Sequence, residues 1–202
     1  RDSNSETRQI IVSLIRNLGT SSKAAIPIMI QVALDDENSS VRQGALGYFI
    51  GNGGSTAVLG QLNEKQKKVL LPAFSSVFQN PKDQNLRHNA SIGMKFFKSE
   101  SKAITPILRK ALKDSDPYVQ LYSADALNQL NPSAGLELGA TSLLIEFAKG
   151  ADLQLAAKAV SLLANPGVEA ELAVPALVEF LQESQTGLLA ESCWALDRAP
   201  KE

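Results

Sequence analysis

The sequence is poor in the residues that carry most protein chemistry. It holds one histidine, His88, and one cysteine, Cys193, in 202 residues. A single cysteine excludes an intrachain disulfide, so cysteine usage does not reveal a redox compartment. Metal centres built on His and Cys need several ligands close together. These two stand far apart in the chain, and neither a metal nor a cofactor is expected. His88 reads as a surface or structural histidine, and Cys193 as a small hydrophobe on a buried stripe. No run of about 18 apolar residues occurs, which excludes a membrane-spanning helix of the ordinary kind. Charge of one sign is lacking too: 20 Lys and Arg balance 21 Asp and Glu, for a net charge of -1, and the sequence pI is about 6.0. Nucleic-acid binders carry a basic stripe. The densest cluster here, Lys65, Lys67 and Lys68, sits beside Glu64, so no nucleic-acid partner is expected.

Catalytic motifs are missing as well. There is no Gly-x-Ser-x-Gly elbow. Gly51-Asn52-Gly53-Gly54 lacks the spacing and the Lys of a phosphate loop. The pairs Asp35/Asp36 and Asp114/Asp116 sit in turns, where capping explains them. The chain opens on Arg1-Asp2-Ser3 with no signal-peptide pattern, which suggests a fragment or processed product and leaves localisation unread. Asn38-Ser39-Ser40 and Asn89-Ala90-Ser91 match the glycosylation acceptor tripeptide, a pattern common by chance.

What the chain does have is an internal repeat. Ala25-Ile26-Pro27-Ile28, Leu70-Leu71-Pro72-Ala73, Ile104-Thr105-Pro106-Ile107 and Ala173-Val174-Pro175-Ala176 align with one another. Their prolines stand 45, 34 and 69 residues apart. The last spacing is about two periods, and Ser142-Leu143-Leu144 fills the unit without proline. A second pattern follows each of these. Counting four, five, eight and eleven residues on from Thr7, Val41, Leu86, Val119 and Leu188 reaches mainly apolar or small residues: Ile11, Val12, Ile15 and Leu18 in the first case, Ala45, Leu46 and Phe49 in the second. These offsets share one face of a helix. Polar turns separate the helices: Asp35-Asp36-Glu37-Asn38, Asn80-Pro81-Lys82-Asp83, Asp114-Ser115-Asp116-Pro117 and Gly150-Ala151-Asp152. The prolines are expected in or near the first turn of each first helix, where a missing N–H matters least. The expected helices are one orphan second helix near 5–18 and five pairs near 23–52, 64–98, 102–130, 137–164 and 171–198. A short extra helix is expected from Thr56 to Leu62, inside the longest connection.

A unit of about 34 residues with Ile-Pro, an Asp-rich turn, Val-Arg and Ala-x-x-Leu resembles the HEAT repeat, nearest the short bacterial subtype grouped with phycobilisome lyases. Pro106, Asp114, Asp116, Val119, Ala124, Ala126 and Leu127 carry the resemblance, as do Val41-Arg42 and Leu86-Arg87. Gln120 departs from it by replacing the Arg. The resemblance covers nearly the whole chain. It implies an all-α fold, a right-handed α-α superhelix (an armadillo-like α-solenoid) of about five helical hairpins plus an N-terminal half repeat. The chain would form one domain over 1–202, with repeats near 1–19 (half), 20–53, 54–100, 101–132, 133–166 and 167–200.

Such a fold presents an extended concave surface and implies no activity by itself. The expected function is a non-enzymatic protein-interaction scaffold with a protein or peptide partner. The alternative drawn from the resemblance is an enzyme, enzyme subunit or chaperone similar to the HEAT-like bilin lyases. The positions off the buried stripe of the second helices would line the concave face: Arg16, Gln43, His88, Lys95, Tyr122, Asp125, Asn128 and Trp194. Amides, both charge signs and a few aromatics suit a peptide or protein.

Overall fold

The computed structural model describes residues 4–50, 58–78 and 84–182. The expected mate of the last helix, with Cys193 and Trp194, lies outside them. So do the turn at Asn80–Asp83 and the segment Gly51–Gly54. Among the described residues there are twelve α-helices and no strand.

The chain divides into two compact units, Arg1–Glu100 and Ser101–Glu202. In the first, α1 (Ser5–Leu18) and α2 (Ile26–Asp35) pack on α3 (Ser39–Ile50). Beyond α3 come α4 (Val58–Gln61), α5 (Glu64–Val77) and α6 (Gln84–Met94). Helix α6 lies against α3, and α5 against α2 and α6. In the second unit, α8 (Pro117–Leu130) is the hub. It is touched by α7 (Ser101–Ala111), α9 (Pro132–Glu137), α10 (Ala140–Ala148) and α11 (Leu153–Leu162). Helix α12 (Ala170–Gln182) packs on α10. The first helices of the repeats are α2, α5, α7, α10 and α12, and the second helices are α1, α3, α6, α8 and α11.

The repeat has three elements rather than two. A short helical piece precedes four of the five first helices: a 3-10 segment at Gly19–Ala25, α4, a 3-10 segment at Lys98–Glu100, and α9. The short pieces are part of the packing. Val58, Leu59 and Leu62 in and beside α4 are buried. Leu59 approaches Gly93, where an added Cβ would meet Phe74 Cε1 at 2.3 Å and Leu59 Cδ2 at 3.2 Å. Phe74 and Phe97 meet edge to face there, with centroids 5.2 Å apart.

Local chemistry sets the helix starts. Asn4, Asn63, Asp116, Asn131 and Asp152 cap α1, α5, α8, α9 and α11 by accepting backbone N–H groups of the first turn. Asn63 and Gln66 close a capping box. The turns before α3 and α8 are built alike. Asp36 Oδ1 accepts from Asn38 N, and Asp114 Oδ1 from Asp116 N, both at 2.9 Å. Six residues on, Arg42 Nη1 donates to the Asp36 carbonyl at 2.7 Å. Gln120 Nε2 donates to the Asp114 carbonyl in the same way. The departure at Gln120 therefore keeps the bond that Arg42 makes.

Three expectations need correction. Pro27 does stand in the first turn of α2, but Pro72, Pro106 and Pro175 lie inside α5, α7 and α12. These helices begin a turn or more before the apolar run, on residues such as Glu64 and Ser101. All four prolines are exposed. In α1, only Val12 of the expected stripe is fully buried. Ile11 and Leu18 are 48% and 61% exposed, because α1 is covered mainly by α3 and the 3-10 segment after it. In α8, burial extends past the stripe to Asp125 and Asn128, since four helices surround it.

Candidate functional site on the second helices

The two units treat their second helices differently. In the first unit, α1, α3 and α6 border an open pocket of about 210 Å³. Gln9, Val12, Ser13 and Arg16 of α1 line it, with Ser40, Gln43 and Gly44 of α3 and Asn89 of α6. Glycine makes the space. A Cβ on Gly44 would lie 2.8 Å from Val12 Cγ1, so α1 and α3 approach closely at that level. One turn on, a Cβ on Gly47 would lie 3.3 Å from Arg16 Nη1 and 3.7 Å from Cδ and Cζ. The Arg16 side chain thus lies along the bare face of α3 at Gly47. The polar lining is amides, hydroxyls and one guanidinium, with no carboxylate.

Arg16 and Gln43 fall in this pocket. His88 is half-buried on α6, beside Asn89. Lys95 follows α6, half-buried, with Nζ 6.0 Å from the centroid of the Phe96 ring. Sequence reasoning missed Ser13, Ser40 and Asn89. Ser13 and Asn89 stand six and three residues beyond Thr7 and Leu86, on the outward side of their helices, and only Ser40, just before Val41, lies outside the pattern.

In the second unit the corresponding surface is closed by its own hydrogen bonds. Asp125, 1% exposed, accepts from Gln129 Nε2 and from Asn165 Nδ2, both at 2.7 Å. Asn128, also 1% exposed, donates from Nδ2 to Thr141 Oγ1 at 3.2 Å. Two glycines press on Asn128. A Cβ on Gly135 would lie 2.4 Å from its Oδ1, and one on Gly167 would lie 2.0 Å from its backbone oxygen. Asp125 and Asn128 were expected on an open face; α9 and the turn after α11 cover them instead. Tyr122 is half-buried on the same helix. Burial pushes its phenol pKa up, and the Asp125 charge adds to this, followed by Tyr118. Lys158 of α11 is exposed. Trp194 lies outside the described residues.

The carboxylate pairs do turn chemistry. Asp36 holds Arg8 and the Asn38 amide, and Asp116 caps α8 through Tyr118 N. Among the described residues no group of three or more His, Cys, Asp or Glu side chains is placed to hold a metal. No described helix is long and apolar enough to cross a membrane.

No protein-family model matches the sequence, and no curated protein matches it. Solved structures do match the fold. An engineered protein of the Northeast Structural Genomics Consortium aligns over 97% of this chain and 93% of its own, at TM-score 0.62 and 18% identity. A designed armadillo repeat protein aligns over 99% and 96%, at TM-score 0.60 and 14% identity. Another, in complex with the peptide (KR)4, aligns over 98% and 96%, at TM-score 0.62 and 16% identity. The fold is an all-α, armadillo-like α-solenoid. At these identities the likeness speaks for the fold alone and does not bear on a phycobilisome-lyase-like subtype.

Proposed function

We propose that this chain is a non-enzymatic protein-interaction scaffold that holds an extended peptide segment of a partner on the second helices of its first unit. The observation that carries the reading is the polar pocket shared by α1, α3 and α6. An extended peptide offers unpaired backbone N–H and C=O groups. Carboxamides such as Gln9, Gln43 and Asn89 can both donate to and accept from them. The designed armadillo protein that carries the peptide (KR)4 lends support, being a similar fold put to such use. On this reading Arg16, Gln43 and His88 belong to the contact surface. Lys95 is a more peripheral member, and Tyr122, in the second unit, and Trp194 are candidates on sequence grounds. Asp125 and Asn128 serve the interior of the second unit. A tetrapyrrole chaperone would need an apolar cleft, and the pocket's amides, hydroxyls and guanidinium do not suit one.

The test is selection from a random peptide library on the full chain, followed by affinity measurement with a Gln43→Ala/Asn89→Ala variant of unchanged melting temperature. Selected peptides should bind the variant at least about tenfold more weakly, the equivalent of one or two lost hydrogen bonds. Equal binding would remove the site from this face. Failure to select any peptide would count against the scaffold reading itself.

A further inference from the structure

The first helices of the first unit leave an apolar cleft between them. Helices α2 and α5 lie side by side, and near their N-terminal ends opens a cleft of about 280 Å³. Ile26, Pro27 and Ile30 of α2 line it, with Lys65, Gln66 and Val69 of α5. Val69 is 50% exposed, so apolar surface is open to an incoming side chain. The polar groups at the rim are all donors. Lys65 and Lys68 are exposed, as is Lys23 one turn ahead of Ile26, and none of the three has an ion pair among the described residues. Gln66 Oε1 accepts from Asn63 N at 3.1 Å, which leaves the Nε2 of Gln66 to donate. The carboxylates of these helices are taken or distant: Glu64 bonds Lys67 and Ser99, and Asp35 stands at the far end of α2.

We propose that this cleft docks an acidic amphipathic helix of a protein partner, whose aliphatic side chain enters between α2 and α5 while its carboxylates meet Lys65 and Lys68. An aliphatic anchor matches the apolar lining, and helix-in-groove recognition places charged residues one turn from such an anchor. Lys65 and Lys68 are themselves one turn apart on α5, so carboxylates at the same spacing on the partner meet both. Small-molecule sites ordinarily enclose about 300–1,000 Å³; this cleft is smaller and suits a side chain rather than a whole ligand. A bilayer surface is ordinarily met by a cluster of about four to eight basic residues, and here Lys23, Lys65 and Lys68 stand without one. The cleft shares no residue with the polar pocket and adds a second contact surface, independent of the first.

Fluorescence anisotropy on the full chain at low salt tests this with labelled amphipathic helical peptides of about fifteen residues, each with a Leu face flanked by Glu, Gln or Lys. The Glu peptide should bind about fivefold more tightly than the Gln peptide, the worth of two exposed ion pairs, and the difference should shrink with added salt. Lys65→Gln/Lys68→Gln should cut that preference to about twofold or less. Val69→Ser should weaken the Glu and Gln peptides alike by about fivefold, whereas Gln43→Ala/Asn89→Ala, in the polar pocket, should change neither. Circular dichroism melts confirm that the variants fold. Equal binding of the Glu and Gln peptides, tighter binding of the Lys peptide, or binding of none would overturn the acidic docking site and leave the scaffold reading intact. Loss of binding in Gln43→Ala/Asn89→Ala would overturn it too, by moving the peptides to the polar pocket. Co-sedimentation with phosphatidylserine vesicles that Lys65→Gln/Lys68→Gln abolishes, without peptide binding, would replace the partner helix with a membrane surface.

Discussion

Arg8 on α1 grips Asp36 in the α2–α3 turn through two nitrogens, Nε to Oδ2 at 2.8 Å and Nη2 to Oδ1 at 3.1 Å. The two side chains are only 15% and 8% exposed, and the bond to Asp36 raises the guanidinium pKa. Asp36 also accepts from Asn38 N, so one carboxylate ties a helix to a turn in the next repeat. The expected result of a double-mutant cycle on Arg8→Ala and Asp36→Ala is a positive coupling that shrinks with added salt. Asp36→Ala alone should lower the melting temperature more than Arg8→Ala, because it also releases the turn. Thermal melts of the four proteins check both statements.

Gly167 and Gly139 make a matched pair of backbone tests. Both have left-handed backbones, at φ 85° and 68°. A Cβ on Gly139 meets nothing within 4 Å, whereas one on Gly167 would lie 2.0 Å from the Asn128 carbonyl oxygen. Gly139→Ala should cost about 1 kcal/mol, the conformational term alone. Gly167→Ala should cost about 3 kcal/mol or more, because the turn must move off α8. Urea denaturation of the two variants separates the terms.

Helix α1 offers the opposite contrast. Leu14 is 60% exposed and Val12 is 4% exposed. Leu14→Gln should change stability by no more than about 0.5 kcal/mol. Val12→Ala should lose about 2 kcal/mol, since it removes two buried methyl groups beside Gly44. Equal losses in denaturant melts would mean that α1 packs through a different face.

Tyr122 gives a pH signature. Its phenol pKa is raised above the ordinary 10.0 by burial. The folded state then favours the protonated phenol. This contribution to stability is complete below the unfolded pKa and is lost as pH rises through the folded one. Tyr122→Phe should therefore flatten the alkaline fall of the melting temperature. In the folded wild type, the part of the tyrosinate absorbance titration that Tyr122→Phe removes should lie above the ordinary phenol range.

Ser123 has a fully buried hydroxyl that finds no hydrogen-bond partner among the described residues. Ser123→Ala should leave stability unchanged or raise it by about 1 kcal/mol. A loss of stability on melting would show that the hydroxyl is bonded in solution.

The helical repeat was legible because its signals are local and recur: Ile-Pro runs, Asp-rich turns and apolar residues at helical spacing. The short third element was legible once, in the extra helix expected from Thr56 to Leu62, where α4 forms; its other copies were not. A six-residue helix such as α9 shows less than two turns of periodicity, and its one signal is Asn131 before Pro132, a cap followed by proline at the first position. Asp125 and Asn128 were misplaced for the same reason, since α9 and the turn at Gly167 are what cover them. Gln120 was read as a departure from pattern. The spacing of six residues back to Asp114, the same as from Arg42 to Asp36, held the clue. The pocket was partly legible through Arg16 and Gln43. Asn89 and Ser13 share the outward side with them but were not singled out, and which of these positions meet in one pocket depends on the approach that Gly44 and Gly47 permit.

The prolines inside α5, α7 and α12 bear on how the chain acquires its structure. A proline in a helix interior costs about 3 kcal/mol relative to alanine, and helices of this length are marginal alone in water. These three segments are therefore poor at forming helix ahead of their surroundings. The second helices carry no interior proline, as in α1, α3, α6, α8 and α11. Helices without an interior proline, α2 and α10 as well as the second helices, are free of this cost. The three proline-bearing helices depend most on a packed surface for their helical state, so they should be the parts of each repeat least helical when isolated from it.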